Sequence, residues 1–360
     1  MIFGNPFENA FGLDIGDLSL KLVELSVHQK NDNITNYQIK NATSIPLPAG
    51  YIVNGEIQQP EMVRQKLLQL LSKGNRGKKI TSPYVVADLP EPKTFLTSIE
   101  MDMASDQITK EDVLYQCQKN LPLDLNETYV DWQISPIKTA GETTRVLIGA
   151  VPKITADSYT YLLESANLQP IAFEIEPLAI ARSLMTEIKT GAKAILDLGA
   201  TRSAIIIYDA SGVCFSTSIQ FSGELINTAL TQRLKIDYKN AEQMKIKNGL
   251  NYADDCPNYL KIVDELIIQL ITDIQKIINY YQTHYLPANM INQIDLCGGL
   301  SEMPNLLPTL SRRLGINCSF GKAWQYVVFD KKTEVDKQIG LTMVSALGLA
   351  MRATINPYNE

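Results

Sequence analysis

The chain has 360 residues, 45% of them hydrophobic and 20% charged, which provides core for about two domains and excludes wholesale disorder. A formal net charge of -6 argues against a bulk nucleic-acid binder. No apolar run approaches the ~18 residues a bilayer-crossing helix requires, and Met1 to Phe11 holds no Lys or Arg and no apolar signal core, so a cytoplasmic protein is expected.

Residues 11–15 and 18–27 alternate as two strands joined at Gly16-Asp17, and 34–45 reads as a third. A helix over about 60–73 opens on Pro60 and carries Met62, Val63, Leu67, Leu70 and Leu71 at helical spacing. The basic, Gly-rich stretch Lys73 to Lys79 reads as a solvated loop, and Tyr84 to Ala87 as a short buried strand. A small α/β module follows: a strand at 93–101, a helix at 109–119 with a Thr cap and early acids, and strands at 129–137 and 144–151. A helix at 153–166, a strand at 170–175 and a helix from Pro177 lead back to the main body.

The second half repeats the opening. Residues 194–198 form a strand ending in a turn, 203–208 the next strand, Asp209 to Gly212 a hairpin turn and 213–220 a third strand. Helices are expected at about 223–235, 238–247 and 258–284, then a strand at 291–297 into Gly298-Gly299, with helices at 304–313 and 341–353.

Several chemistries lose their usual signals. The five cysteines (117, 214, 256, 297 and 318) are widely spaced with no C-x-x-C, so reduced buried thiols fit better than disulfides or zinc. His28 and His284 are the two histidines, and neither sits in a triad-like arrangement. Neither G-x-G-x-x-G nor G-x-x-x-x-G-K-[ST] occurs.

The internal duplication carries the functional argument. Leu13-Asp14-Ile15-Gly16 and Leu196-Asp197-Leu198-Gly199 share one pattern, 183 positions apart (197 minus 14), and each is followed by two more strands. In each, glycine lets backbone N–H groups approach a phosphate. Two such hairpins could clamp a polyphosphate, with Asp14 and Asp197 facing one Mg²⁺, which takes one or two carboxylates besides phosphate oxygens and water. Lys21 fits a phosphate-neutralising cation and an exposed strand lysine equally well. Ser222-Gly223 opens a helix that is either an ordinary Ser-capped one or an anion contact. Glu242 and Lys245, three apart on a helix, suit a ribose hydroxyl and a purine or a surface ion pair. The Gly298-Gly299 turn permits close approach of a flat base and a phosphate.

These two Asp-x-Gly units, with Glu176-Pro177-x-Ala179, Ala241-Glu242-x-x-Lys245 and the late Gly298-Gly299, resemble the actin-like ATPase superfamily, which includes actin, heat-shock chaperones, MreB and FtsA. Gly12-Leu13-Asp14-Ile15-Gly16 followed by Leu20-Lys21-Leu22-Val23-Glu24-Leu25, then Asn120-Leu121-Pro122-Leu123 and the helix around 265–281, is similar to the PilM family of type IV pilus assembly over nearly the whole chain.

The resemblance implies an α/β, actin-like/ribonuclease H-like duplicated two-domain ATPase fold with a small inserted α/β subdomain. Its first lobe would be 1–187 plus 341–360, with the insert at about 88–168, and its second lobe 188–340. The cofactors implied are ATP or ADP and Mg²⁺. Asp14 and Asp197 would orient the metal, through water; Gly16, Ser19, Lys21, Gly199, Ala200, Thr201 and Gly223 would line the phosphates. Glu242 and Lys245 would contact the nucleoside, Gly298, Gly299 and Leu300 would border the base, and Glu176 aligns with a Glu that positions attacking water in several relatives. Asp17 stands among the nucleotide-site positions where many relatives have a small residue or a hydroxyl. A carboxylate ~4 Å from a phosphate charge costs roughly 1–4 kcal/mol, so Asp17 points away, joins the metal shell or lowers affinity, and nucleotide binding is expected with weak or absent hydrolysis.

The partner implied is the N-terminal cytoplasmic peptide of a PilN-like inner-membrane protein, with walls from about 80–100 and 145–175, and through it, indirectly, the pilus motor ATPase. The protein would then sit peripherally at the inner membrane through that partner, without inserting, in a pilus or a related secretion system, and a homo-oligomer or ring remains compatible. Two alternatives stand beside this reading. An FtsA- or MreB-like filament protein often carries an amphipathic membrane helix, which neither terminus offers. A small-molecule kinase needs an acceptor base, for which Asp88 or Asp131 lacks a supporting motif.

Overall fold

The computed structural model describes residues 5–31, 34–72, 79–135, 143–185, 191–251, 256–285, 290–328 and 337–357. Residues 73–78 of the basic stretch lie outside the described residues. The chain divides into two compact units, Met1–Met185 with Lys322–Glu360, and Thr186–Gly321.

In chain order, the first run comprises β1 (Phe11–Ile15), β2 (Ser19–Asn31), β3 (Ile34–Pro46), β4 (Ile52–Val53), β5 (Glu56–Ile57), α1 (Pro60–Ser72) and β6 (Tyr84–Leu89). The small module contributes β7 (Phe95–Met101), α2 (Lys110–Asn120), β8 (Thr128–Ile134) and β9 (Thr144–Pro152). Then come α3 (Lys153–Ser165), β10 (Gln169–Ile175) and α4 (Glu176–Leu184). The second unit holds β11 (Ala192–Leu198), β12 (Ser203–Asp209), β13 (Gly212–Ile219), α5 (Gly223–Leu234), α6 (Tyr238–Asn248), α7 (Pro257–His284), β14 (Ile291–Cys297), α8 (Leu306–Leu314) and β15 (Asn317–Phe320). The chain closes with β16 (Val327–Val328), α9 (Lys337–Thr342) and α10 (Val344–Ala353), which belong to the first unit.

The duplication extends to sheet topology. In the first unit the strands run in the order β10-β6-β1-β2-β3, followed by β16; β10–β6 and β6–β1 are parallel and β1–β2 and β2–β3 antiparallel. The second unit pairs β15, β14, β11, β12 and β13 in sequence, with the same parallel, parallel, antiparallel, antiparallel pattern. Strands β7, β9 and β8 form an antiparallel ladder in the inserted module.

Side-chain alternation explains the layers of the first unit. Phe11, Leu13 and Ile15 of β1 join a core with Val63 and Leu67 of α1 and Tyr159 and Leu163 of α3. The opposite face meets α10 so closely that a Cβ on Gly12 would lie 2.3 Å from the Ala350 nitrogen. Gly348 in turn brings α10 against α4, where a Cβ would sit 1.8 Å from the Ala179 carbonyl oxygen. In the inserted module, Val113 and Cys117 of α2 pack on Val146 and Ile148 of β9. Thr109 caps α2 through a reciprocal box with Asp112. In the second unit, the long stripe of α7 (Val263, Ile267, Leu270, Ile274) lies against β11 and β12 residues such as Leu196 and Ile205. None of the five cysteines forms a disulfide among the described residues, and burial pushes the Cys318 thiol up to about 11.

Three details depart from the sequence reading. The end of the chain forms two helices, broken at Met343, where one helix over 341–353 is expected. A 3₁₀ turn at Gly299–Glu302 begins directly at the glycine pair, and α8 starts later, at Leu306, after Asn305 takes a positive φ of 61°. The β4–β5 hairpin gave no signal because two-residue strands have no periodicity to read.

Candidate functional site

Each unit presents an acidic turn at the carboxyl end of its first central strand, the edge at which α/β sheets bind ligands. In the first unit β1 and β2 are joined by a turn closed by Gly16 N–H donating to Ser19 O at 3.0 Å. Asp14 and Lys21 face each other across this pair, and Lys21 Nζ bonds Asp14 Oδ2 at 2.8 Å, with Asp14 only 2% exposed. Strands β6 and β10 run parallel to β1, so their carboxyl ends lie at the same edge. They deliver Asp88 from β6 and Glu176 from the first turn of α4.

Ligand oxygens of Asp14, Asp88 and Glu176 all lie within 4.8 Å of one another. Three anions so close repel by roughly 3 kcal/mol per pair at an effective dielectric of about 20, and the nearby lysine offsets one charge. An all-oxygen donor set of this kind suits a hard divalent cation. Mg²⁺ holds oxygens at about 2.1 Å and keeps several waters, so this spacing fits a metal reached partly through water. Asp88 Oδ1 also accepts the Ile15 N–H at 2.9 Å, which fixes the backbone just before the turn.

Asp17 turns to another task. Its Oδ2 accepts the Asn54 N–H and its Oδ1 the Gly55 N–H, each at 3.1 Å. The carboxylate therefore braces the β1–β2 turn against the β4–β5 hairpin, whose Gly55 carbonyl also accepts from the Tyr159 hydroxyl at 3.1 Å. Gly55 has φ +75° and faces Pro90 so tightly that a Cβ would lie 2.4 Å from the Pro90 Cβ. Both carboxylate oxygens of Asp17 thus accept backbone amides of that hairpin.

In the second unit the equivalent turn closes in the same way, Gly199 N–H donating to Arg202 O at 2.9 Å. Asp197 stands opposite Ala204 on β12 and Cys297 on β14, and the Cys297 thiol donates to its Oδ1 at 3.6 Å. Gly298 has φ +81°, and a Cβ there would lie 2.5 Å from Asp197 Oδ1. Glycine is thus required beside the carboxylate. Leu300 is buried in the 3₁₀ turn that follows.

Helix α5 docks directly on this turn. Gly223 N–H donates to Gly199 O at 3.2 Å, Glu224 N–H to Ala200 O at 2.8 Å, and Leu225 N–H to the Ser222 hydroxyl at 3.1 Å. The first amides of α5 therefore have protein acceptors, and the helix offers its positive dipole end to the turn more than orphan donors. Lys245 Nζ bonds Glu242 Oε2 at 2.6 Å and approaches Gly223 O at 3.4 Å. A Cβ on Gly223 would stand 3.1 Å from that ammonium. Asn227 of α5 donates its amide to the same Glu242 oxygen. Direct contacts thus link Gly199, Ala200, Gly223, Glu242 and Lys245, and the chain through Leu198 joins them to Asp197 and the adjacent Gly298, with Thr201 in the turn and Gly299 next to Gly298. Asp14, Gly16, Ser19, Lys21 and Glu176 gather in the first unit.

Sequence reasoning gave Asp88 no place among the nucleotide-site residues. Its signal was an aspartate near the end of a buried apolar strand, where a carboxylate needs a reason to be. Asn227 gave no signal, because a polar residue on an amphipathic helix is ordinary.

The family profile described as "Type IV pilus assembly protein PilM" matches residues 12–354. The chain belongs to the PilM family. Among curated relatives, the cell division protein FtsA of Enterococcus hirae is 22% identical, with 85% of this chain and 76% of that protein covered. Among solved structures, the PilM-PilN type IV pilus biogenesis complex superposes with a TM-score of 0.81 at 22% identity, covering 97% of this chain and all (100%) of that one. The ethanolamine utilization protein EutJ from Carboxydothermus hydrogenoformans gives 0.56 at 14% identity, with 95% and 89% covered. MreB 5 of Spiroplasma citri bound to AMPPNP gives 0.51 at 11% identity, with 95% and 94% covered. These likenesses establish the actin-like two-domain α/β fold expected for a PilM protein. Among the described residues no helix is long and apolar enough to cross a membrane.

Proposed function

We propose that this chain is a nucleotide-binding scaffold of a type IV pilus or related secretion machine, which docks on the N-terminal cytoplasmic peptide of a PilN-like inner-membrane protein. The observation that carries this reading is the family match from residue 12 to residue 354. The likeness to a PilM-PilN complex supports the choice of partner, and its TM-score of 0.81 against 0.51 for MreB makes it a better guide than a filament protein. The peptide would add apolar anchors and backbone hydrogen bonds in the first unit, between the segments near 80–100 and 145–175. Docking of this kind would hold the protein at the inner membrane without insertion.

The nucleotide proposed is ATP or ADP with Mg²⁺. Asp14, Asp88 and Glu176 of the first unit would hold the metal and its waters. Bound Mg²⁺ would neutralise phosphate charge there. The closed turns at Gly16 and Gly199 would let backbone approach the phosphates, and Glu242 with Lys245 would meet the nucleoside. Glu176 is the residue suited to orient water, but the proposed role is binding rather than rapid turnover. A small-molecule kinase gains no support from Asp131, which is exposed and accepts the Trp132 N–H at 2.9 Å.

The test is a titration of short N-terminal peptides of candidate membrane partners, with and without Mg-ATP, read by calorimetry. One PilN-like peptide is expected to bind, and Asp197→Ala to weaken nucleotide retention more than about tenfold, while Lys276→Ala on the exposed face of α7 changes it less than about twofold. Absence of peptide binding, or equal retention by both variants, would refute the reading.

A further inference from the structure

The interior of the second unit contains a side chain that the nucleotide reading does not use. Asn227 lies one turn into α5, is 1% exposed, and directs its amide nitrogen at Glu242 Oε2. Its Oδ1 meets no donor among the described residues. An unmatched buried carbonyl is destabilising, so this amide is not held by its own needs. Rotating it would set its oxygen against the Glu242 carboxylate, two acceptors face to face, so the orientation is fixed by Glu242.

Glu242 is held from two sides on one oxygen. Asn227 and the buried Lys245 ammonium, the latter at 2.6 Å, both donate to Oε2. Oε1 accepts no bond among the described residues, and the Glu242 side chain is 39% exposed while that of Lys245 is 9% exposed. A free glutamate explores many rotamers and is a poor reader of a ligand. Here one carboxylate oxygen is immobilised and the other is left on a side chain that is 39% exposed, while the Lys245 that holds the first also approaches Gly223 O. A presented carboxylate oxygen selects hydroxyl donors. The vicinal hydroxyls of a ribose supply two.

We propose that Asn227 is a positioning residue that holds Glu242 for the ribose hydroxyls and thereby makes the site prefer ribonucleotides over 2′-deoxyribonucleotides. The inference rests on the nucleotide-binding reading above and extends it to a residue and a selectivity. Asn227 does not touch the ligand; it acts through Glu242.

The experiment compares ATP with 2′-deoxy-ATP as competitors of a fluorescent nucleotide, in the presence of Mg²⁺, on the full chain. Two variants are measured beside the wild type. Asn227→Leu removes the amide with little change of volume, and Asn227→Asp keeps the shape but repels Glu242. The wild type is expected to prefer ATP about tenfold, the effect of one hydrogen bond to a charged group. In both variants that preference falls at least about threefold, while affinity for 2′-deoxy-ATP moves less than about twofold. Thermal unfolding of each variant guards the comparison. Asn227→Leu also discards the unmatched carbonyl, so its midpoint is expected to stay at or above the wild-type value. An unchanged preference in both folded variants overturns the role of Asn227 and leaves the nucleotide reading intact. Equal weakening of both nucleotides overturns it too, because it marks a merely structural residue. A wild type that binds neither nucleotide overturns both readings.

Discussion

The acidic turns of the two units share a backbone and differ in how they are braced. In each, an aspartate stands opposite the residue seven positions on, and the glycine two positions after it donates to the carbonyl three residues further. The cross-strand residue is Lys21 in the first unit and Ala204 in the second. The brace is a side chain in the first, where Asp17 grips the backbone amides of Asn54 and Gly55. In the second it is a helix end, where Gly223 and Glu224 donate to the turn carbonyls. Duplication preserved the register, because a one-residue slip would turn each aspartate to the other face. It left charge free to diverge. The first turn sits among three carboxylates and a lysine, while the second meets a thiol, a glycine pair and a helix dipole.

Substitutions can break this comparison at four points. Gly298→Ala is expected to have the largest effect, about 3 kcal/mol or more, because the new Cβ meets Asp197 and Leu198 at a positive φ. Asp17→Ala comes next at about 1–3 kcal/mol, since two backbone amides lose a charged acceptor. Ser222→Ala removes the cap of α5 and costs about 1 kcal/mol. Gly16→Ala is the mildest, below about 1 kcal/mol, because its added Cβ finds its closest neighbour at 3.3 Å. Urea midpoints at unchanged slope measure all four. If Gly16→Ala proved as costly as Gly298→Ala, the two turns would be under equal steric constraint and the contrast drawn here would fail. A neutral Asp17→Ala would remove the side-chain brace from the account.

The duplicated hairpins were legible because Asp-x-Gly with flanking alternation is written in consecutive residues. Helix α2 was legible for the same reason, as Thr109 and Asp112 form a local box. Elements joined across the chain were less so. The β4–β5 hairpin is two residues on each side, yet it holds Asp17 and, through Gly55, the hydroxyl of Tyr159. Asp88 gains its place beside Asp14 only because β6 pairs with β1, Leu13 opposite Ala87, a pairing distant in sequence that no local pattern encodes. The break at Met343 separates a last helix whose packing on α4 depends on Gly348 meeting Ala179, again a contact without a sequence period.

The central proposal is that the carboxylates gathered around Asp14 hold the magnesium of a bound nucleotide. Binding of Mn²⁺, used as a paramagnetic stand-in for Mg²⁺, measures this directly on the wild type, Asp14→Asn and Asp88→Asn with saturating ATP. The account predicts a single tightly bound Mn²⁺ per chain that depends on ATP and is lost in both variants. Undiminished Mn²⁺ binding in both variants would contradict it.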